Sequence, residues 1–177
     1  MTKVHAVTPE PGIGRILAGA HFIDAYRVTA EGVQLDALEA ATLMLAEPPG
    51  WVGRLMALRN AIVTPFGLKT GRETVGRFGK IGIFPIESVT PGRVVLGFED
   101  KHLDFRVAVD VARTGGGSAV TATTLVRLHN LPGRLYLTTI LPFHRMIVRA
   151  SLESVARPRA PTAILHPPGI QDADGAP

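Results

Sequence analysis

The strongest constraint on this chain is a change of period at Ile81. From there apolar residues recur at every second position through Ile81 to Val89, Val94 to Glu99, His102 to Arg113 and Ala119 to His129. A period of two puts alternate side chains on opposite faces of a strand, so these are four strand candidates. They are separated by Thr90-Pro91-Gly92, Asp100-Lys101 and Thr114-Gly115-Gly116-Gly117. Links this short join antiparallel neighbours, because a parallel crossover needs about a dozen residues or more. With a two-residue turn at Asp100-Lys101, Val94, Leu96 and Phe98 pair with Val107, Phe105 and Leu103 on one face. In the next hairpin Leu103, Phe105, Val107 and Val109 face Leu128, Val126, Thr124 and Ala122, which sets Asp104 opposite Arg127 on the other face and His102 opposite His129.

The remaining elements follow from local signals. Phe22 to Val28 alternates like a strand and is bounded by Gly32. Asp36 with Glu39 forms an expected capping box. The helix it opens carries Leu38, Thr42 and Leu45 at helical spacing and stops at Pro48-Pro49. A second helix has Trp51, Leu55, Leu58 and Ile62 as a stripe widened by Val52, Met56 and Val63, and ends at Pro65 and Gly67. The last helix runs from Pro132 to about Arg157, with Asn130 or Leu131 near its cap and Pro142 expected to kink it. Its apolar residues, Leu135 to Val148, surround most of the circumference, which implies burial on several sides.

The order is strand, two short helices, at least four antiparallel strands, long C-terminal helix. This predicts an α+β fold in which a curved antiparallel sheet wraps around the C-terminal helix. With 177 residues, one domain is expected, and 46% apolar against 19% charged residues excludes a wholly disordered chain. The body spans 20–157. Residues 1–19, rich in Pro and Gly, read as a flexible arm, and 158–177 as a disordered Pro-rich tail.

This arrangement resembles the helix-grip fold of the START and pollen-allergen (SRPBCC) superfamily. More narrowly, the runs Asp24-Ala25-Tyr26, Leu58-Arg59-Asn60, His102-Leu103-Asp104-Phe105-Arg106-Val107, His129-Asn130 and Pro142-Phe143-His144-Arg145 resemble the bacterial Domain of Unknown Function 2867 family. The resemblance covers roughly residues 20–152 and implies the helix-grip fold but no particular reaction. Some relatives are fused behind a nicotinamide-nucleotide-binding domain, so it also implies a possible role as partner domain of a separate NAD(P)-binding oxidoreductase.

Composition removes several chemistries. The absence of cysteine excludes disulfides, thiolate metal sites and a cysteine nucleophile. A net charge of +4, from 19 basic and 15 acidic residues, falls short of a nucleic-acid binder. The excess is localised: residues 51–80 carry +5, residues 134–159 carry +4 and the remainder −5. These basic segments suit an anionic head group or peripheral contact with an anionic membrane, or are solvated helix faces. The N-terminal residues show no charged-then-apolar leader, and the Leu135–Ala150 stretch is too short and interrupted to span a bilayer, so a cytoplasmic location is expected.

The candidate chemistry is sparse. Gly12-Ile13-Gly14 and Gly115-Gly116-Gly117 lack the strand and helix context of a phosphate loop, Ser118, Ser151 and Ser154 sit in no nucleophile elbow, and no metal or cofactor is expected. His102, His129 and His144 would converge only if the strand ends met the last helix. His129 or His144 could serve a cyclase- or hydratase-like enzyme as general acid or base, with Asp104 a further candidate. Asp104, Arg106 and Arg127 read either as an ion-pair cluster on a solvated sheet face or as a polar cluster orienting a ligand. Trp51, Met56, Phe66, Phe84, Phe98 and Phe105 form either a filled core or the lining of a cavity for a small hydrophobic or amphipathic ligand, with Arg106, Tyr136 and Arg134 as further contacts. For Tyr136 the core reading leads. A ligand pocket would have a volume of about 300 Å³ or more.

Overall fold

The computed structural model describes residues 3–46, 50, 51, 53 and 78–157. Its strands are β1 (His5–Ala6), β2 (Phe22–Glu31), β3 (Lys80–Ile81), β4 (Phe84–Val89), β5 (Arg93–Glu99), β6 (Leu103–Thr114) and β7 (Gly117–Leu128). The helices are α1 (Ala37–Leu45) and α2 (Leu131–Ala156), with a 3-10 turn at Ile13–Ile16. All seven strands join one antiparallel sheet in the order β1-β2-β7-β6-β5-β4-β3. Both helices pack on its inner face, which gives the α+β, helix-grip architecture. No described helix is long and apolar enough to cross a membrane. The second expected helix lies for the most part outside the described residues, as do Leu58-Arg59-Asn60 and residues 158–177.

Alternation fixes which residues face α2. Phe22, Asp24, Tyr26 and Val28 of β2 pair with Val126, Thr124, Ala122 and Val120 of β7, and the β6–β7 register is the expected one, with Leu103 opposite Leu128 and Asp104 opposite Arg127. The β5–β6 register is corrected by two residues. Val94 pairs with Val109, Leu96 with Val107 and Phe98 with Phe105. The turn residues are Lys101-His102, closed by the Asp100 N–H donating to the Leu103 carbonyl at 3.0 Å. A shift of two preserves every residue's face, so alternation alone cannot separate these registers.

The helices use smaller contacts than expected. The capping box of α1 is present, with Glu39 N–H donating to Asp36 at 2.7 Å and Asp36 N–H to Glu39 at 2.9 Å. Its buried face, however, is Ala37, Ala40, Ala41 and Met44, while Leu38 and Thr42 are exposed. Alanines bring the helix axis closer to the sheet than the Leu38 stripe would allow.

α2 is capped by Asn130, whose side chain accepts from Gly133 N–H at 3.0 Å and donates to the Lys101 carbonyl at 3.1 Å. A Cβ at Gly133 would lie 2.3 Å from the His102 carbonyl oxygen, so this close approach requires glycine. The expectation that α2 is buried around most of its circumference is not met. Its buried residues are Gly133 and then Val148, Ser151, Leu152 and Val155, whereas Leu131, Leu135, Phe143 and Met146 are exposed. The helix is thus anchored at its first turn and over its C-terminal part.

Residues 4–20 pack against both faces of the sheet. β1 extends the sheet beside β2, Val4 joins the inner core, and Ile13 and Leu17 bury against Val95, Ala108 and Leu125 on the outer face. Apolar residues therefore cover both sides of the central strands.

Candidate functional site

A partly open cavity of about 160 Å³ lies between the sheet and α2. Phe22, Phe84, Phe98, Leu103, Phe105, Val107, Thr124 and Val126 line it from the sheet, Met44 and Leu45 from α1, and Tyr136, Leu137, Ile140, His144, Ile147, Val148 and Ser151 from α2, with Ile83 at the edge. Phe98 and Phe105 are cross-strand partners whose ring centroids lie 5.4 Å apart, and Phe84 stacks 5.6 Å from Phe105 and 6.5 Å from Phe98. Such ring pairs contribute about 0.5–1.5 kcal/mol each beyond area burial, so this wall is stiff. The volume is smaller than the ~300 Å³ of common ligand pockets.

The polar side chains in this wall are Thr124, Tyr136, His144 and Ser151. His144 is held most specifically. Its Nε2 lies 3.2 Å from both Asp24 oxygens, and its ring meets Phe22 edge-on at 6.0 Å. Both partners are mostly enclosed, with side chains 15% and 17% exposed. Asp24 comes from the start of β2 and His144 from the middle of α2, so two of the runs that carried the family resemblance meet across 120 residues. Asp24 is the residue that sequence reasoning missed as a site partner. Its signal was an acid at a position sharing its strand face with Phe22, Tyr26 and Val28.

The other expected residues divide between the two faces. Phe84, Phe98, Phe105 and Tyr136 line the cavity, as does His144. His129, Asp104 and Arg106 belong to the outer face and do not reach it. Arg134 is exposed on the first turns of α2 and Trp51 is exposed, neither lining the cavity, and Met56 and Phe66 lie outside the described residues. The three histidines do not converge: His102 Nδ1 lies 3.1 Å from the Asn130 side-chain oxygen, and His129 and His144 bond carboxylates on opposite faces. Among the described residues, no three metal-ligating side chains cluster.

In the outer-face cluster Asp104 and Arg106 are themselves buried, which corrects their reading as side chains on a solvated face, while their partners Arg127, His129, Glu87 and Glu99 reach solvent. Asp104, with a side chain 4% exposed, accepts from Arg127 Nε at 2.9 Å and Nη2 at 2.5 Å, and lies 3.1 Å from His129 Nε2. Burial pushes its carboxyl upward, but the hydrogen bonds from His129 and Arg127 and their charges outweigh this and hold it below the ordinary aspartate range. Arg127 also donates to the Ala18 carbonyl at 3.3 Å, tying the N-terminal segment to the cluster.

Arg106 crosses Gly97, its cross-strand partner, to reach the Phe98 and Phe105 carbonyls at 3.0 Å, Glu99 at 3.0 Å and Glu87 at 2.6 Å. The Glu87 contact is an ion pair, since the Nε–H does not point at the carboxylate. Burial raises the Glu87 carboxyl despite Arg106. Nearby, Asp110 is raised by burial, which its ion pair with Arg93 only partly offsets.

Together these features define an α+β protein with a small apolar cavity beside one histidine–aspartate pair. The chain belongs to the family described as a protein of unknown function (DUF2867), whose family model matches residues 16–151. No curated protein and no solved structure matches it.

Proposed function

We propose that this protein is a binding module for a compact hydrophobic or amphipathic molecule held between the sheet and α2. The observation that supports this most directly is the cavity itself: about 160 Å³ of space bounded by Phe84, Phe98, Phe105, Ile140 and Ile147, in a wall that otherwise packs closely. Native interiors leave few voids larger than a water molecule, and empty apolar space forfeits dispersion contacts. An apolar cavity of about 150 Å³ accommodates a benzene ring.

Toluene is a direct probe. Titration of the full chain should shift the methyl resonances of Val107, Val126 and Ile140 saturably and raise the unfolding temperature. Ile140→Trp, which directs an indole into the same space, should abolish the titration without loss of the fold. Absence of saturable binding by the unsubstituted protein, together with no molecule released on denaturing extraction, would overturn the proposal.

A further inference from the structure

We infer that the cavity selects a hydroxyaromatic molecule of the size and chemistry of phenol, whose hydroxyl donates to Nδ1 of His144; this rests on the reading of the cavity as a binding site. Three features point to this chemistry. The volume of about 160 Å³ suits a single ring. The Phe84, Phe98 and Phe105 cluster offers aromatic faces and edges to that ring. The third feature is the way His144 is held.

Asp24 places both oxygens 3.2 Å from Nε2, and an ionised carboxylate only accepts hydrogen bonds. It therefore fixes the proton of the neutral ring on Nε2 and leaves a lone pair on Nδ1. Nδ1 makes no hydrogen bond with any described residue. His144 is one of the residues lining the otherwise mostly apolar cavity, and a free acceptor on its ring favours a ligand that brings one donor. A hydrocarbon of the same shape leaves it unpaired, and an ether or carboxylate sets acceptor against acceptor.

The experiment is a comparative titration of the full chain with phenol, toluene, anisole and benzoate, followed by NMR or calorimetry. Phenol should bind on the order of tenfold more tightly than toluene, the gain expected of one well-formed hydrogen bond. His144→Phe should retain toluene binding and lose the phenol preference, and Asp24→Asn should reduce that preference by loosening the ring. The inference is overturned if toluene equals or exceeds phenol, if anisole or benzoate binds best, or if the preference survives His144→Phe. Should that variant fail to fold, the ligand order of the unsubstituted protein and of Asp24→Asn decides. Failure of toluene and phenol alike removes the cavity reading itself, whereas toluene binding without phenol preference removes only the role of His144.

Discussion

Two histidine–aspartate pairs sit on opposite faces of the same sheet and are built to different ends. On the outer face Asp104 receives Arg127 through two nitrogens and His129 through a third, all at Oδ2, so its charge is met by a guanidinium. On the inner face Asp24 meets only the His144 ring among the described residues, and a cavity lies alongside. A carboxylate whose one oxygen gathers three nitrogens from two side chains ties neighbouring strands and, through Arg127, the N-terminal segment. One shared with a single imidazole orients that ring and leaves its second nitrogen available.

If this contrast is right, the outer pair carries stability and the inner pair does not. Asp104→Ala should be the most damaging change, costing about 3 kcal/mol, because it removes the charge-assisted hydrogen bonds of Arg127 and His129 and leaves a gap at a buried position, while both partners keep some solvent access. Denaturant unfolding checks this, and a loss under 1 kcal/mol would break the comparison. Gly97→Ala tests the same face through the backbone. Its Cβ would fall 2.2 Å from the Phe105 carbonyl oxygen and 2.6 Å from Arg106 Cδ, so strand β5 or the Arg106 side chain must move. A loss of about 2–3 kcal/mol is expected, in the range of overpacking.

The acid limb of stability sharpens the contrast further. The Asp104 carboxyl is lowered in the folded protein, so its contribution is present above the ordinary aspartate value near 3.9 and is lost as pH falls through its folded value. Glu87 and Asp110, raised by burial, act in the opposite sense: stability falls as pH climbs from about 4 towards their folded values. Urea unfolding between about pH 2.5 and 6 should therefore show the Asp104→Asn protein losing less stability below pH 4 than the unsubstituted one. Parallel acid limbs would show that His129 and Arg127 do not hold Asp104 as described.

The two pairs were also unequally legible in the sequence. Short links and alternation fixed the β6–β7 register, and with it Asp104 opposite Arg127, because antiparallel neighbours are local problems. The β5–β6 turn slipped by two because both registers keep the same faces. Asp24 and His144 stand 120 residues apart on a strand and a helix, and no register relates them. Only the placement of α2 across β2 brings them together. The N-terminal segment was hidden for another reason. Ile13, Ile16 and Leu17 stand at i, i+3 and i+4 but span a single turn among prolines and glycines, too short a run to establish a period, and they pack into a core because the outer face of Val95, Ala108 and Leu125 is itself apolar.

The smallest expected effect is the one that separates the pairs most clearly. His144→Phe keeps a ring of similar size between Phe22 and the cavity, and it removes a hydrogen bond between side chains that retain some solvent access. The loss is the ordinary net value of a hydrogen bond, offset in part by the more apolar ring, so stability should change by less than about 1 kcal/mol. Unfolding of His144→Phe beside Asp104→Ala under identical conditions provides the measurement. A loss of 3 kcal/mol or more would make the inner pair a structural tie like the outer one. A near-zero change would mean that the one imidazole lining the cavity among the described residues is dispensable for the fold, as expected of a side chain placed there for what enters the cavity.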